Sequence, residues 1–301
     1  MRVLIAGGTG FVGRALITSL QAAGHEVALL SRSAKSETSA DLHWKWDPKE
    51  GQINERCMEG VDAVVNLCGE NLASGRWTSK RKLLFRSSRL DSIRLLAGAA
   101  KSVQPGSLVW LNASATGFYG DRGSEWCDES SRAGKGFLAE LCSEWEAEVA
   151  ALAPQLKHWT VLRIGMVLDN GGGALAKLVP LFRWGLGSRL GDGAQWISWI
   201  HRQDLVAIIT DWLQRPQNGP INAVSPEPVT NDEFTKILAK SLHRRPFLPA
   251  PAWAIRLGLG EMSQVVLTSQ RVRPARLEER SFVFQFPHLT EACEEIVDRL
   301  V

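Results

Sequence analysis

The chain contains a single tyrosine, Tyr119, beside 12 Trp and 10 Phe. Any proton transfer that needs a phenol therefore has one candidate. Its five cysteines (Cys57, Cys68, Cys127, Cys142 and Cys293) are odd in number and include no Cys-x-x-Cys pair. That spacing argues against a disulfide framework or a zinc site, and no metal is expected. No apolar run reaches the roughly 18 residues that a membrane-spanning helix needs, and the run at 3–6 is too short for a secretory leader. Charge is balanced, with 22% charged residues and a formal net charge of +3. This is not the pattern of a nucleic-acid or membrane binder. The remaining description is an ordinary globular chain of 301 residues, 45% hydrophobic. It suits one large domain, or a large domain with a small companion, in a reducing, cytoplasmic compartment.

Short apolar runs alternate with amphipathic stretches through the first half. Residues 3–6 read as a buried strand, 10–23 as a helix ending at Gly24, 26–31 as a second strand and 63–67 as another. Helical periodicity at 83–100, a strand at 108–113, a helix at 137–152 and a strand at 160–168 continue the pattern. This is the rhythm of an α/β doubly wound parallel sheet of Rossmann type, with a smaller C-terminal substrate-side region. The dinucleotide-binding domain is expected over 1–168, completed by about 198–224. Glycine-rich loops and a small C-terminal unit (about 247–301) make up a substrate side over 169–301. Within it, 200–215 reads as a strand end and helix that return to the sheet, 231–242 as a helix and the proline-rich stretch 246–251 as a linker.

Gly7, Gly10 and Gly13 fall between the first strand and the first helix, spaced as Gly-x-x-Gly-x-x-Gly. Gly7 permits a tight turn, Gly10 a close approach of pyrophosphate to backbone, and Gly13 close helix–strand packing, while the helix N-terminus offers unpaired N–H groups to the anion. Thr9, Phe11 and Val12 complete the loop. The end of the second strand reads Leu29-Leu30-Ser31-Arg32-Ser33. It lacks the acid that would accept hydrogen bonds from the ribose hydroxyls of NAD. Arg32 can instead fork onto a 2′-phosphate, with Ser31 and Ser33 adding hydroxyls, so NADP(H) is the expected cofactor.

The segments Gly7-Gly8-Thr9-Gly10-Phe11-Val12-Gly13, Asp62-Ala63-Val64-Val65-Asn66-Leu67-Cys68-Gly69 and Ser114-Ala115-Thr116-Gly117-Phe118-Tyr119-Gly120 resemble the extended short-chain dehydrogenase/reductases, which include NAD(P)-dependent epimerases and dehydratases. Glu70, Arg76-Trp77-Thr78, Ser198-Trp199-Ile200-His201 and the run 270–277 are similar to the SulA-like (YfcH-like) branch, with its C-terminal domain of unknown function. The resemblance implies a seven-stranded parallel sheet with NADP(H) at the carboxyl ends of its strands. It places Gly7, Gly10 and Gly13 at the phosphates, Arg32 at the 2′-phosphate, Leu67, Cys68 and Gly69 along the cofactor, and Ser114 at the catalytic serine. The Tyr-x-x-x-Lys pair that normally follows is missing, because the corresponding helix reads Phe137-Leu138-Ala139-Glu140-Leu141-Cys142. The SulA-like branch departs from the motif in the same way.

Tyr119 and His201 are the remaining candidates for moving a proton, each against a structural role: a half-buried turn tyrosine, and a histidine joining a loop to a helix. Glu70, Arg76, Trp77 and Trp199 are candidate substrate contacts, weighed against structural anchoring. The basic stretch Lys80, Arg81, Lys82, Arg86 and Arg89 has the spacing of a solvated helix face. Two functions stay open: an NADP(H)-dependent oxidoreductase or epimerase on an unidentified small molecule, and a non-catalytic NADP(H)-binding sensor or partner module. Neither nucleic acid nor membrane is expected as a partner, and a homodimer is left open.

Overall fold

The structure is a computed structural model that describes residues 1–33 and 38–300. Its central sheet has eight strands: β1 (Arg2–Ala6), β2 (Glu26–Ser31), β3 (Leu42–Asp47), β4 (Gln52–Ile53), β5 (Ala63–Asn66), β6 (Val109–Ala115), β7 (His158–Ile164) and β8 (Gly219–Ala223). They lie in the order β8-β7-β6-β5-β1-β2-β3-β4. The first seven are parallel, and β4 returns against β3 as a short antiparallel edge with Trp46 opposite Ile53. The sequence reading had no strand at β3. From Leu42 to Lys45 its side chains alternate between half-buried and exposed and only Trp46 is buried, so the pattern of a wholly apolar buried strand is absent.

Successive side chains along a strand point to opposite faces, and here both faces are covered. Val3 and Ile5 of β1 pack with Leu16 and Ile17 of α1 (Phe11–Ala22) and with Leu205 and Trp212 of α5 (Arg202–Gln214). Leu4 and Ala6 face Ile93 and Leu96 of α2 (Ser79–Ala100) and Trp145 and Val149 of α3 (Phe137–Ala150). Each fully buried aliphatic or aromatic side chain contributes about 1.5–3 kcal/mol of transfer free energy. Gly24, with φ of +77°, closes α1 where the sequence placed its end.

A second core lies beyond the sheet. Leu175, Val179 and Phe182 of α4 (Leu175–Arg183), Phe234 and Leu238 of α6 (Asn231–Ser241), and Leu289, Cys293 and Ile296 of the last helix, α8 (Leu289–Asp298), enclose Trp199. Two sequence expectations change. Residues 160–168 are not one strand: a Cβ at Gly165 would lie 2.6 Å from the Ser198 carbonyl oxygen, and the chain breaks there so that Met166–Leu168 pairs with Trp199–His201. The stretch 246–251 is more than a linker. Phe247–Ala250 pairs in parallel with Ser188–Leu190 and leads into α7 (Ala252–Leu259).

Candidate functional site

From β1 the chain steps outward to β2 and β3, then crosses back to set β5 on the other side of β1. Ligands of open α/β sheets bind where the strand order reverses, at the carboxyl ends. Here the reversal is tight. The Leu67 N–H donates to the Ala6 carbonyl at 2.8 Å, and a Cβ on Gly7, whose φ is +83°, would lie 2.9 Å from the Leu67 carbonyl carbon. At Gly13 it would lie 2.4 Å from the Gly7 carbonyl oxygen. Only glycine fits at both positions.

Gly10 stands at the N-cap of α1 with no side chain to cap it. Among the described residues the N–H groups of Phe11, Val12 and Gly13 therefore meet no protein acceptor, and the first turn carries no acid. This is the cradle that a diphosphate requires. Arg14, which the sequence reading passed over, donates from Nε to the Thr9 carbonyl at 3.0 Å and holds a cation beside the loop. The Phe11 ring is occupied, because Gly172 and Gly173 pack against it and the Arg202 guanidinium lies 4.8 Å from its centre. Only the Phe11 backbone is thus left open at the loop.

Arg32 is exposed at the end of β2. Its charge pulls the Cys68 thiol down, but burial dominates and raises that pKa to about 12, leaving a neutral thiol along the crevice wall. The Ser31 hydroxyl is spent locally, donating to the Ser33 carbonyl at 2.5 Å. Asn66 holds the turn after β5: it donates to Asn112 Oδ1 at 2.8 Å and accepts from the Cys68 N–H at 3.1 Å. The wall carrying Gly69 rests on Arg89, whose Nη1 donates to the Phe85 carbonyl at 3.0 Å and whose Nη2 donates to the Glu70 carbonyl at 3.3 Å. Arg89 is buried and stacks on Trp145, and burial lowers its pKa. It does not belong to a solvated face as its spacing suggested.

At the end of β6, Ser114 is buried and donates to Glu146 Oε1 at 2.7 Å. Glu146 also accepts from Arg163, Nε to Oε1 at 3.0 Å and Nη2 to Oε2 at 2.8 Å. The same guanidinium donates from Nη1 to the Tyr119 hydroxyl at 3.0 Å and lies 3.5 Å from the centre of the Phe118 ring. A Cβ built on Gly117 would sit 3.5 Å from Leu138 Cβ and 3.6 Å from Cys142 Sγ. The face of α3 turned to this strand end thus carries Leu138 and Cys142, four residues apart, where the resemblance implies tyrosine and lysine. Burial raises the Cys142 pKa to about 12.

Three catalytic or substrate candidates are corrected. Tyr119 has no exposed surface; its hydroxyl contacts the Asp128 carbonyl at 3.0 Å and Asn222 Oδ1 at 2.7 Å, and burial raises its pKa. His201 is equally buried. Its Nδ1 accepts from the Gln203 N–H to cap α5, Nε2 faces Glu295 at 3.2 Å, and the ring lies 4.0 Å from Phe286. Trp199 donates to the Glu227 carbonyl from within the second core. These three residues hold the fold together.

Two further substrate candidates are also engaged internally. Arg76 donates to the carbonyls of Leu257 and Gly258, and Trp77 packs edge-on to Phe85 and Phe137. Glu70 is half-buried, 3.9 Å from Arg81. The residues that sequence reasoning missed had a usable signal: Arg163 is a charge in the otherwise apolar run Val161-Leu162-Arg163-Ile164, and Glu146 lies one helical turn after Cys142.

Fold and crevice define a doubly wound, nucleotide-binding α/β protein of Rossmann type. Residues 3–224 match the NAD dependent epimerase/dehydratase family, and 250–296 match a domain of unknown function, DUF1731. The chain belongs to the NAD dependent epimerase/dehydratase family. It is 38% identical over 292 residues to the epimerase family protein Mb2239 of Mycobacterium bovis, covering 96% of this chain and 95% of that one. The crystal structure of human epimerase family protein SDR39U1 with NADPH superimposes with a TM-score of 0.86 at 34% identity, covering 99% of each chain. UDP-glucose 4-epimerase from Thermus thermophilus, complexed with NAD, shares the fold with a TM-score of 0.80 at 22% identity, covering 99% of this chain and 98% of that one. Among the described residues no helix is long and apolar enough to cross a membrane.

Proposed function

We propose that this crevice binds NADP(H) and serves hydride exchange with a small carbonyl or alcohol compound, as an oxidoreductase or epimerase-type enzyme that works without a tyrosine–lysine pair. The observation that carries the reading is the uncapped glycine cradle, with Gly7 and Gly13 closed to any side chain and three N–H groups without protein acceptors. Those N–H groups would hold the diphosphate, the Leu67–Gly69 backbone would lie along the dinucleotide, and exposed Arg32 would take the 2′-phosphate. The human relative solved with NADPH supports the choice of cofactor. When bound, the nicotinamide ring supplies or accepts the hydride.

A carbonyl that gains hydride leaves an oxygen that needs a proton. Of the protic side chains expected to act there, Ser114 alone remains at the end of a central strand; its hydroxyl proton is held by Glu146, so Ser114 would orient the substrate oxygen and solvent water would supply the proton. The test is transfer of deuteride from 4-deuterated NADPH to a panel of ketones and nucleotide sugars. Turnover that falls at least about 100-fold in Ser114→Ala supports the enzyme. Silence across the panel while NADPH still binds turns the reading to its rival, a non-catalytic NADP(H) sensor. The specific observation favouring that rival is the burial of Tyr119 and His201 in structural contacts.

A further inference from the structure

The second core leaves one side bare. Trp184 (81% exposed) and Leu186 follow α4, Phe247 and Leu248 (74%) lie on the adjoining strand, and Trp253 (68%) and Leu257 (74%) project from α7. They form one neighbourhood. The Phe247 N–H donates to the Gly187 carbonyl at 2.7 Å, Arg244 donates to the Arg183 carbonyl at 3.1 Å, and the Gly191 N–H donates to the Ala250 carbonyl at 2.8 Å. No residue of α7 is buried. Its outward positions, one helical turn apart, are Trp253, Arg256 and Leu257, so the apolar side chains face away from the protein.

The two segments that carry this surface hold cations and no acids, with Asp192, Asp232, Glu233 and Glu261 at their edges. Residues 171–191 and 234–260 contain no Asp or Glu. Lys177, Arg183, Lys240, Arg244, Arg245 and Arg256 fall in these two segments, all are exposed, and none forms an ion pair among the described residues. The two other cations there, Arg189 and Lys236, pair with Asp232 just outside the segments. For a chain whose net charge is +3, this is a strong local concentration.

We propose that this face, comprising the end of α4, the Phe247–Ala250 strand and α7, docks the protein peripherally on an anionic lipid surface. Tryptophan and leucine would enter the headgroup boundary while the arginines meet the lipid charge. A second copy fits less well, since a two-fold contact sets each basic rim against its own like charge. A partner strand is disfavoured because Pro249 and Pro251 blunt the exposed edge. A partner helix is disfavoured because the aromatic side chains protrude. The proposal departs from the expectation drawn from overall charge, which averages this surface with the rest of the chain, and it is independent of the reaction in the crevice.

The test is co-sedimentation of the full chain with vesicles of phosphatidylcholine alone and of phosphatidylcholine containing about one third phosphatidylglycerol. We expect pelleting with the anionic vesicles only, weakening as NaCl rises from about 0.05 to 0.5 M. Two variants, Trp184→Ser with Trp253→Ser and Arg245→Glu with Arg256→Glu, should each lower the partition coefficient at least about tenfold, with unchanged thermal melts and NADPH binding. Their exposed side chains make a folding defect in both pairs an unlooked-for result, and the melts detect it. Wild-type protein that pellets no more with anionic than with neutral vesicles overturns the proposal. So does a dimer in light scattering that the tryptophan substitutions dissociate without any vesicle binding.

Discussion

Glu146 joins the Ser114 hydroxyl, 2.7 Å from Oε1, to the Arg163 guanidinium, 2.8 Å from Oε2, in a pair that is almost wholly buried. Neither charge has much water to fall back on, so each depends on the other. The same pair fixes the serine at the end of β6 and, through Arg163, the tyrosine beneath it.

Removing one partner strands the other charge. Glu146→Ala and Arg163→Met should each destabilise by about 3–5 kcal/mol, and the double variant should cost clearly less than the two combined. Urea unfolding of the four proteins in the cycle measures this. Additive losses would mean that the pair is not coupled.

Tyr119→Phe removes the hydrogen bond to Asn222 and the acceptor for Arg163. A loss of about 1–3 kcal/mol in urea unfolding is expected, with NADPH affinity unchanged in a fluorescence titration. Loss of a measurable turnover at full folding would restore the phenol to the chemistry.

Two glycine substitutions should move in opposite directions. In Gly13→Ala the new methyl meets the Gly7 carbonyl oxygen and the Gly8 Cα, at 2.4 and 2.5 Å, so stability falls by about 1–3 kcal/mol and cofactor binding suffers. Gly98 lies within α2 with nothing within 4 Å of the added carbon. Gly98→Ala should stabilise by about 0.5–1 kcal/mol. Thermal melts with and without NADPH distinguish the two.

The glycine loop, the first βαβ unit and the end of α1 could be read from the sequence because they are local: turn chemistry, a strand before it and a helix period after it. The cofactor side of the site was legible for the same reason. The structural reading of His201, a histidine joining a loop to a helix, matches its cap on Gln203, but the full burial of Tyr119 and Trp199 was not legible, since it is set by distant partners, namely Asn222 and Glu227. Arg89 shows the limit most clearly. Helical spacing placed it with its basic neighbours, yet its own position turns inward, toward Trp145 and the Gly69 backbone.

His201 makes stability depend on pH. Burial is the largest influence on its ring and lowers its pKa below the ordinary 6.5, against the opposing charges of Asp169, Glu295 and Asp204. The unfolded chain then takes up the proton first, so stability declines as pH falls through about 6.5 toward the folded value and loses nothing more beneath it. His201→Asn keeps a capping acceptor for Gln203 without the titration. The stability difference between wild type and this variant should shift against the wild type between about pH 7 and 5. A parallel pair of curves would contradict it.

The most direct test of the account is a melt of the protein with NADPH and with NADH at equal concentrations, repeated on Arg32→Ala. At about 100 times its dissociation constant, NADPH should add about 2.7 kcal/mol of stability and NADH much less, and Arg32→Ala should erase most of the difference. Equal stabilisation of the wild type by both, or a preference that survives in Arg32→Ala, would contradict the assignment of the crevice to NADP(H) through Arg32.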